Sequence, residues 1–169
     1  MKGTAGVTDW KTSLSFLFKH EDTHDGFRRN AWELAIQMLL KGEFINVARD
    51  DLIVISGHSL GGATAVVLLD LLQNYHTNLA LVTFGSPRPG GRQLRRRVVH
   101  YPHYRFVYGS DVVPLCPPVV NRYVHTHSPI FLPDFKQNAM DLREDNAITT
   151  YHSSLKTLLA GKETIMIGS

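Results

Sequence analysis

The sequence predicts an α/β fold: a mostly parallel central sheet flanked by helices. Three observations carry that expectation. Short apolar runs of strand length recur at residues 52–56, 79–84 and 104–108. The first two are separated by an Ala/Leu/Val stretch of helical length, the second and third by a shorter Arg-rich one. Where the first strand meets its helix stands Gly57-His58-Ser59-Leu60-Gly61, a tight glycine-flanked corner. Strand, helix, strand, helix, strand is the order of a parallel sheet, because each crossover helix returns the chain to the starting end.

The 169 residues suit a single domain, 1–169, with one core. Hydrophobic residues make up 43% and charged residues 20%, the balance of an ordinary globular chain. The longest apolar runs are too short to span a bilayer. A net charge of +3 is mildly basic and gives no reason to expect nucleic acid as a partner. The basic cluster Arg92-Gln93-Leu94-Arg95-Arg96-Arg97 reads as the solvated face of a short helix in preference to a contact with an anionic surface. Cys116 is alone, so no intrachain disulfide can form. The first residues lack the apolar core of a signal peptide, and a cytoplasmic location is expected if Met1 is the natural start.

Taken in order, Gly3-Thr4 looks like a turn, Asp9-Trp10 a loop or short helix start, and Phe16-Leu17-Phe18 a possible strand. Residues 19–25 form a polar loop. Phe27, Ala31, Leu34, Ala35, Met38 and Leu39 recur at spacings of three and four, which predicts a helix capped by Asp25 and stopped by Gly42. The strand at 52–56 leads into the corner, and the helix after Ser59 should run to about Gln73. Residues 74–78 turn into the strand at 79–84, and Gly85 to Gly91 close it. Residues 92–99 suggest a short helix and 104–108 a third strand. Residues 122–132 suggest a hairpin turning at 126–129, and 134–149 read as irregular. A last helix is expected over 152–159, headed by His152 and broken at Gly161.

The corner is a G-x-S-x-G nucleophile elbow. A sharp strand-to-helix turn forces the serine into strained dihedrals, and side chains two places either side would collide, so Gly57 and Gly61 are expected to be glycine for want of room. The turn lifts the Ser59 hydroxyl off the sheet at a helix N-terminus. The Leu60 N–H then points where an oxyanion would form. In parallel sheets ligands sit beyond the carboxyl ends of the strands. Ser59, Ser86 to Arg88 and Asp111 each follow a strand, so they should share one rim.

A serine hydroxyl needs an imidazole as general base, and the imidazole needs a carboxylate to hold its tautomer. In α/β-hydrolase folds the chain order is serine, acid, histidine. The candidate acids after Ser59 are Asp70, Asp111, Asp134, Asp141, Glu144 and Asp145. Asp70 lies inside the elbow helix, pointing away. Asp111 directly follows a buried strand and is preferred. The histidines after it are His125, His127 and His152. The first two lie on an extended segment, where packing or hydrogen bonding is the simpler role, so His152 is preferred. His100-x-x-His103 and His125-x-His127 have ligand-like spacing, but HExxH is lacking and only one cysteine is present, so the zinc templates are unmet and no metal or cofactor is expected.

These residues resemble the class 3, fungal-type triacylglycerol lipases of the α/β-hydrolase fold. Lys2-Gly3-Thr4 with Asp9-Trp10 is similar to the family's R-G-T…D-W, and His24-x-Gly26-Phe27 to its H-x-G-F. Gly57 to Gly62 is similar to the family's elbow, and Thr83-Phe84-Gly85-Ser86-Pro87-Arg88 to T-F-G-x-P-R. Asp111-Val112-Val113-Pro114 is similar to D-x-V-P, and Tyr123-x-His125 to Y-x-H. The resemblance implies Ser59, Asp111 and His152 as the catalytic residues and Thr4 and Leu60 as oxyanion donors. It also implies a lid around residues 5–14. Lys2 replaces the usual arginine, and the family usually carries early strands ahead of R-G-T, so the fold is expected to be N-terminally shortened. A missing strand would bare a sheet edge, which favours a homodimer through that edge.

The expected activity is serine carboxyl-ester hydrolysis of acylglycerols, with an ester or lipid substrate and transient contact with a lipid surface. Phospholipase or acyl-transfer chemistry would use the same residues. A truncated, non-catalytic lipid-binding domain is the expectation of a different class.

Overall fold

In the computed structural model, which describes residues 25–42, 47–48, 50–118, 122–132 and 147–167, parallel pairing dominates. Among these residues four strands lie side by side in chain order: β1 (Ile53–His58), β2 (Leu79–Phe84), β3 (His103–Tyr108) and β4 (Pro129–Leu132). The helices are α1 (Asp25–Leu40), α2 (Leu60–Leu72), α3 (Arg92–Val98) and α4 (Ile148–Ile167), with a 3₁₀ turn at Val113–Leu115. The register aligns His58 with Phe84 and Phe84 with Phe106, so the carboxyl ends of β1, β2 and β3 lie together. The segments carrying Ser59, Ser86 and Asp111 all leave from this one side, as their positions after strands suggested.

Burial follows position in the sheet. In β2 every residue but Val82 and Phe84 is buried, as befits a strand covered on both faces. β1 alternates, with Val54 54% exposed, and among the described residues it pairs only with β2. Strand alternation sends Leu79 and Leu81 to one core cluster and Phe84 to another. The first cluster holds Val66, Leu69, Leu94 and Val98 with Phe27, Ala31 and Ala35. The second holds Tyr108, Leu132 and Tyr151, with Leu155 and Leu158 of α4 against it.

Helix α2 is apolar nearly all round because it is enclosed: it packs on β1 and β2 and is covered by α1 and α3. The buried row of α1 is Phe27, Ala31 and Ala35, at spacings of four. Leu34 was expected in that row but is 44% exposed, because it lines a depression of about 330 Å³ between α1, β1 and α2. Gly42 adopts a left-handed φ of 69° just past α1, the stop it was expected to be. In α3, Leu94 and Val98 face the core and the arginines face outward. Arg97 forms an ion pair with Asp70 of α2 at 2.8 Å.

Two expected elements differ. Residues 122–132 make no hairpin: Val124 forms an antiparallel bridge to Gly90, and β4 then joins the open side of β3 in parallel. Pairing went to partners remote in sequence, which local turn chemistry cannot signal. The last helix starts at Ile148, so His152 lies in its second turn and does not head it, and it continues through Gly161 to Ile167. An interior glycine costs a helix only about 1 kcal/mol relative to alanine, too little to end one docked on the sheet by Tyr151 and Ser154. The expected features before Asp25, including Thr4, the Phe16 to Phe18 strand and the lid, lie outside the described residues, as does most of 134–149.

Candidate active site

Ser59 is the hinge between β1 and α2, with φ 52° and ψ −128°. Such a conformation costs a non-glycine residue of order 1–3 kcal/mol and persists only where its surroundings impose it. The imposed contacts are visible. The Ser59 N–H donates to the Phe84 carbonyl at 2.9 Å, and the Gly62 N–H donates to the Ser59 carbonyl at 2.9 Å. A Cβ on Gly57 would sit 2.3 Å from the Gly61 carbonyl oxygen, and one on Gly62 would sit 2.6 Å from the Ser86 Cβ. Gly61 differs from expectation: a Cβ there meets nothing within 4 Å. The close approaches are strand backbone to helix backbone at Gly57 and helix to the next loop at Gly62. The tight pair is therefore Gly57 and Gly62, and Gly61 contributes its carbonyl to the crowding.

Leu60 is the first residue of α2, so its N–H has no acceptor inside the helix and lies at the positive end of the helix dipole. The second expected donor, Thr4, is outside the described residues.

Asp111 is 5% exposed. Its Oδ1 accepts the Val113 N–H at 2.9 Å, and its own N–H donates to the Tyr108 carbonyl at 3.1 Å. Its Oδ2 accepts the Tyr151 hydroxyl at 2.5 Å. The loop beyond is fastened from the side by Arg88, whose N–H donates to the Cys116 carbonyl at 2.7 Å and whose guanidinium donates to the carbonyls of Leu115 and Pro117. Burial lowers the Arg88 pKa and raises that of the Cys116 thiol, which lies beside it.

His152 is exposed on α4, and the residue that α4 turns toward Asp111 is its predecessor, Tyr151. Sequence reading missed Tyr151. Its signal was the one aromatic in Thr149-Thr150-Tyr151-His152-Ser153-Ser154, spaced three from Ser154 and four from Leu155 on the docked face.

His125 and His127 belong to a polar cluster beside the rim. His125 Nε2 donates to the Pro114 carbonyl at 2.7 Å, and Arg105 Nε donates to the His127 carbonyl at 3.1 Å. His103 sits between Thr83 and Thr126, with a ring nitrogen 2.8 Å from each hydroxyl. Burial first, then neighbouring positive charge, brings His103 and His125 down to about 3. Burial and then Arg95 lower His127 as well. His103 and His125, part-buried and held neutral, act as hydrogen-bonding groups between the strands and the loop beyond Asp111. Among the described residues no three His, Cys, Asp or Glu side chains converge as a metal site, and no helix is long and apolar enough to cross a membrane.

A strained serine at a strand–helix corner, with a buried acid on the same rim, agrees with what the chain is similar to. Residues 1–121 match the family model for lipase (class 3). A secreted mono- and diacylglycerol lipase of Fusarium solani is 33% identical over 135 residues, covering 75% of this chain and 40% of that protein. A lipase of Rhizomucor miehei is 28% identical over 153 residues, covering 79% and 40%. A solved structure of Rhizomucor miehei triacylglyceride lipase superposes with a TM-score of 0.60 at 28% identity, covering 79% of this chain and 56% of that one. The chain thus spans about 40% of the length of the curated relatives it matches. The parallel sheet, the elbow and the matched motifs together establish that this α/β-hydrolase-type chain belongs to the class 3 lipase family.

Proposed function

We propose that this chain hydrolyses carboxylic esters of the acylglycerol type through an acyl-enzyme on Ser59. The observation that carries the reading is the backbone of Ser59, at φ 52° between a parallel strand and a buried helix, with no room for a side chain at Gly57 or Gly62. A serine that only turned a corner would need no such conformation. His152 accepts the Ser59 proton as Oγ attacks the ester carbonyl. The oxyanion collects at the N–H groups of Leu60 and Thr4, and His152 returns its proton to the departing alcohol. Water then attacks the acyl-enzyme with His152 again as base, releasing the fatty acid. Asp111 orients the imidazole and steadies its charge. The assignment of the base to His152 rests on the chain order serine, acid, histidine and on His125 having Nε2 committed to Pro114; His152 itself is exposed on α4, where its neighbour Tyr151 meets Asp111.

The acylglycerol class is supported by the names of the Fusarium and Rhizomucor proteins. The chemistry requires no cofactor. A fluorophosphonate probe tests the proposal directly: it should label Ser59 in folded protein and not in Ser59→Ala, alongside hydrolysis of p-nitrophenyl esters. A folded protein that stays unlabelled overturns it.

A further inference from the structure

Tyr151 is 0% exposed, and its ring lies edge-on to His58, Phe84 and Tyr108, at centroid distances of 5.9, 6.1 and 6.3 Å. Those three are the last residues of β1, β2 and β3. One side chain therefore braces the three strand ends from which Ser59, the Ser86 loop and Asp111 depart.

Its hydroxyl closes a ring of three hydrogen bonds. The Asp111 N–H donates to the Tyr108 carbonyl at 3.1 Å, the Tyr108 N–H donates to Tyr151 Oη at 3.1 Å, and the Tyr151 O–H donates to Asp111 Oδ2 at 2.5 Å. The direction is forced, since an amide N–H can only donate and so leaves the phenol proton for the carboxylate. We infer that Tyr151 is a positioning residue: it locks the acid Asp111 on the rim and sets how strongly that acid supports the base. This rests on the ester-hydrolase reading of Ser59 and Asp111.

The physical argument has two parts. Two restraints on two carboxylate oxygens, from Val113 and Tyr151, fix the rotation of Asp111; removing one lets it turn. A donor on the carboxylate also draws off negative charge, so an imidazolium that Asp111 supports during the reaction is held less strongly. Other titratable groups face Tyr151 from the sheet: His58 of β1, and Arg105 and Tyr108 of β3. Burial and the Asp111 charge push the Tyr151 hydroxyl up from its usual range, so it stays protonated as a donor at any working pH.

Three forms compared across pH decide the matter: wild type, Tyr151→Phe, and the protein with 2,3-difluorotyrosine installed at position 151. The readouts are the rate of fluorophosphonate labelling of Ser59 and the hydrolysis of a short-chain p-nitrophenyl ester. Tyr151→Phe should lower kcat roughly tenfold or more, the order carried by a hydrogen bond to a charged group, with little change in KM. Its acid limb should move to higher pH, because a less neutralised Asp111 raises the base. The fluorinated tyrosine keeps the shape but donates more strongly, so its acid limb should move to lower pH. In an Asp111→Asn background, Tyr151→Phe should add no further loss. If Tyr151→Phe fails to fold, the fluorinated protein decides alone. Labelled wild type with an acid limb that neither change moves overturns the inference and leaves the hydrolase reading standing. Wild type that is never labelled overturns both.

Discussion

Ser59 is held by its neighbours in sequence, whereas Asp111 is held by segments far away. The elbow's close contacts run among residues 57 to 62, with Phe84 and Ser86 of the adjoining strand and loop behind them. Asp111 depends on Val113 close by, on Arg88 across the neighbouring loop, and on Tyr151 forty residues later. One end of the site is a local backbone device that a single methyl group would break. The other is a docking arrangement, and its integrity is that of the α4 packing. Perturbations along α4 should therefore reach the acid first, through its hydrogen bond to Tyr151, and the elbow only through ring packing on His58 and Phe84.

The largest effects should come from removing the groups proposed to react. Ser59→Ala should lower kcat by about 10⁴ or more with the fold retained, since residues acting as a unit fail together. His152→Ala should lose nearly as much, and the double mutant should be no worse than either alone. His125→Ala and His127→Ala should lose less, mainly through stability. Steady-state ester hydrolysis by the five proteins checks this. A dead His127→Ala beside an active His152→Ala would move the base into the polar cluster beside the rim, away from α4.

Glycine substitutions sharpen the local side of the comparison. Gly57→Ala drives a Cβ to within 2.3 Å of backbone, where neither partner can yield. It should destabilise by roughly 2–3 kcal/mol or more, in the range of overpacking and above. Gly61→Ala meets open space inside the first turn of α2. It should be neutral or stabilise by about 0.5–1 kcal/mol from helix propensity. Urea midpoints for the two variants should fall on opposite sides of wild type or nearly so. Equal destabilisation would mean the elbow is not confined as described.

The polar cluster behind the acid should make that side sensitive to pH. His103 and His125 titrate near 3 in the folded protein and near 6.5 when unfolded, because burial disfavours the charged form. Between those values the unfolded chain binds more protons, so stability is full above about pH 6.5 and is lost progressively as pH falls toward 3. Denaturation at pH 8 and pH 5 should show the drop, and His103→Gln should flatten it. The smallest effect is expected at the surface. Arg97→Gln removes a half-exposed ion pair to Asp70 and should change stability by less than about 1 kcal/mol; a larger loss would give α3 a structural part in the elbow that its position does not suggest.

The strands and helices from 53 to 108 were legible because they alternate in short units whose periodicity reports burial directly. β2 and the elbow helix end within a residue of where the pattern placed them. The elbow was legible for the same reason: glycines at fixed offsets from a serine are a local steric statement. Even so, sequence misassigned which second glycine is tight, because the obstacle to a side chain at Gly62 is Ser86, in another loop. Beyond residue 108 local signals weakened. β4 was read as half of a hairpin because turn residues precede it, and nothing local reveals that β3 has an open side waiting.

The sequence by itself determined the strand–helix alternation, the nucleophile elbow, the acid just past the third strand and the family. Each depends on residues within a few positions of one another, where backbone sterics and side-chain period act directly. Only the tertiary structure decided which side chain meets Asp111. Tyr151 and His152 are adjacent in sequence and about 100° apart around a helix. Which of them turns inward depends on how that helix settles on the sheet, a balance of buried area and buried hydrogen bonds summed over contacts forty residues apart.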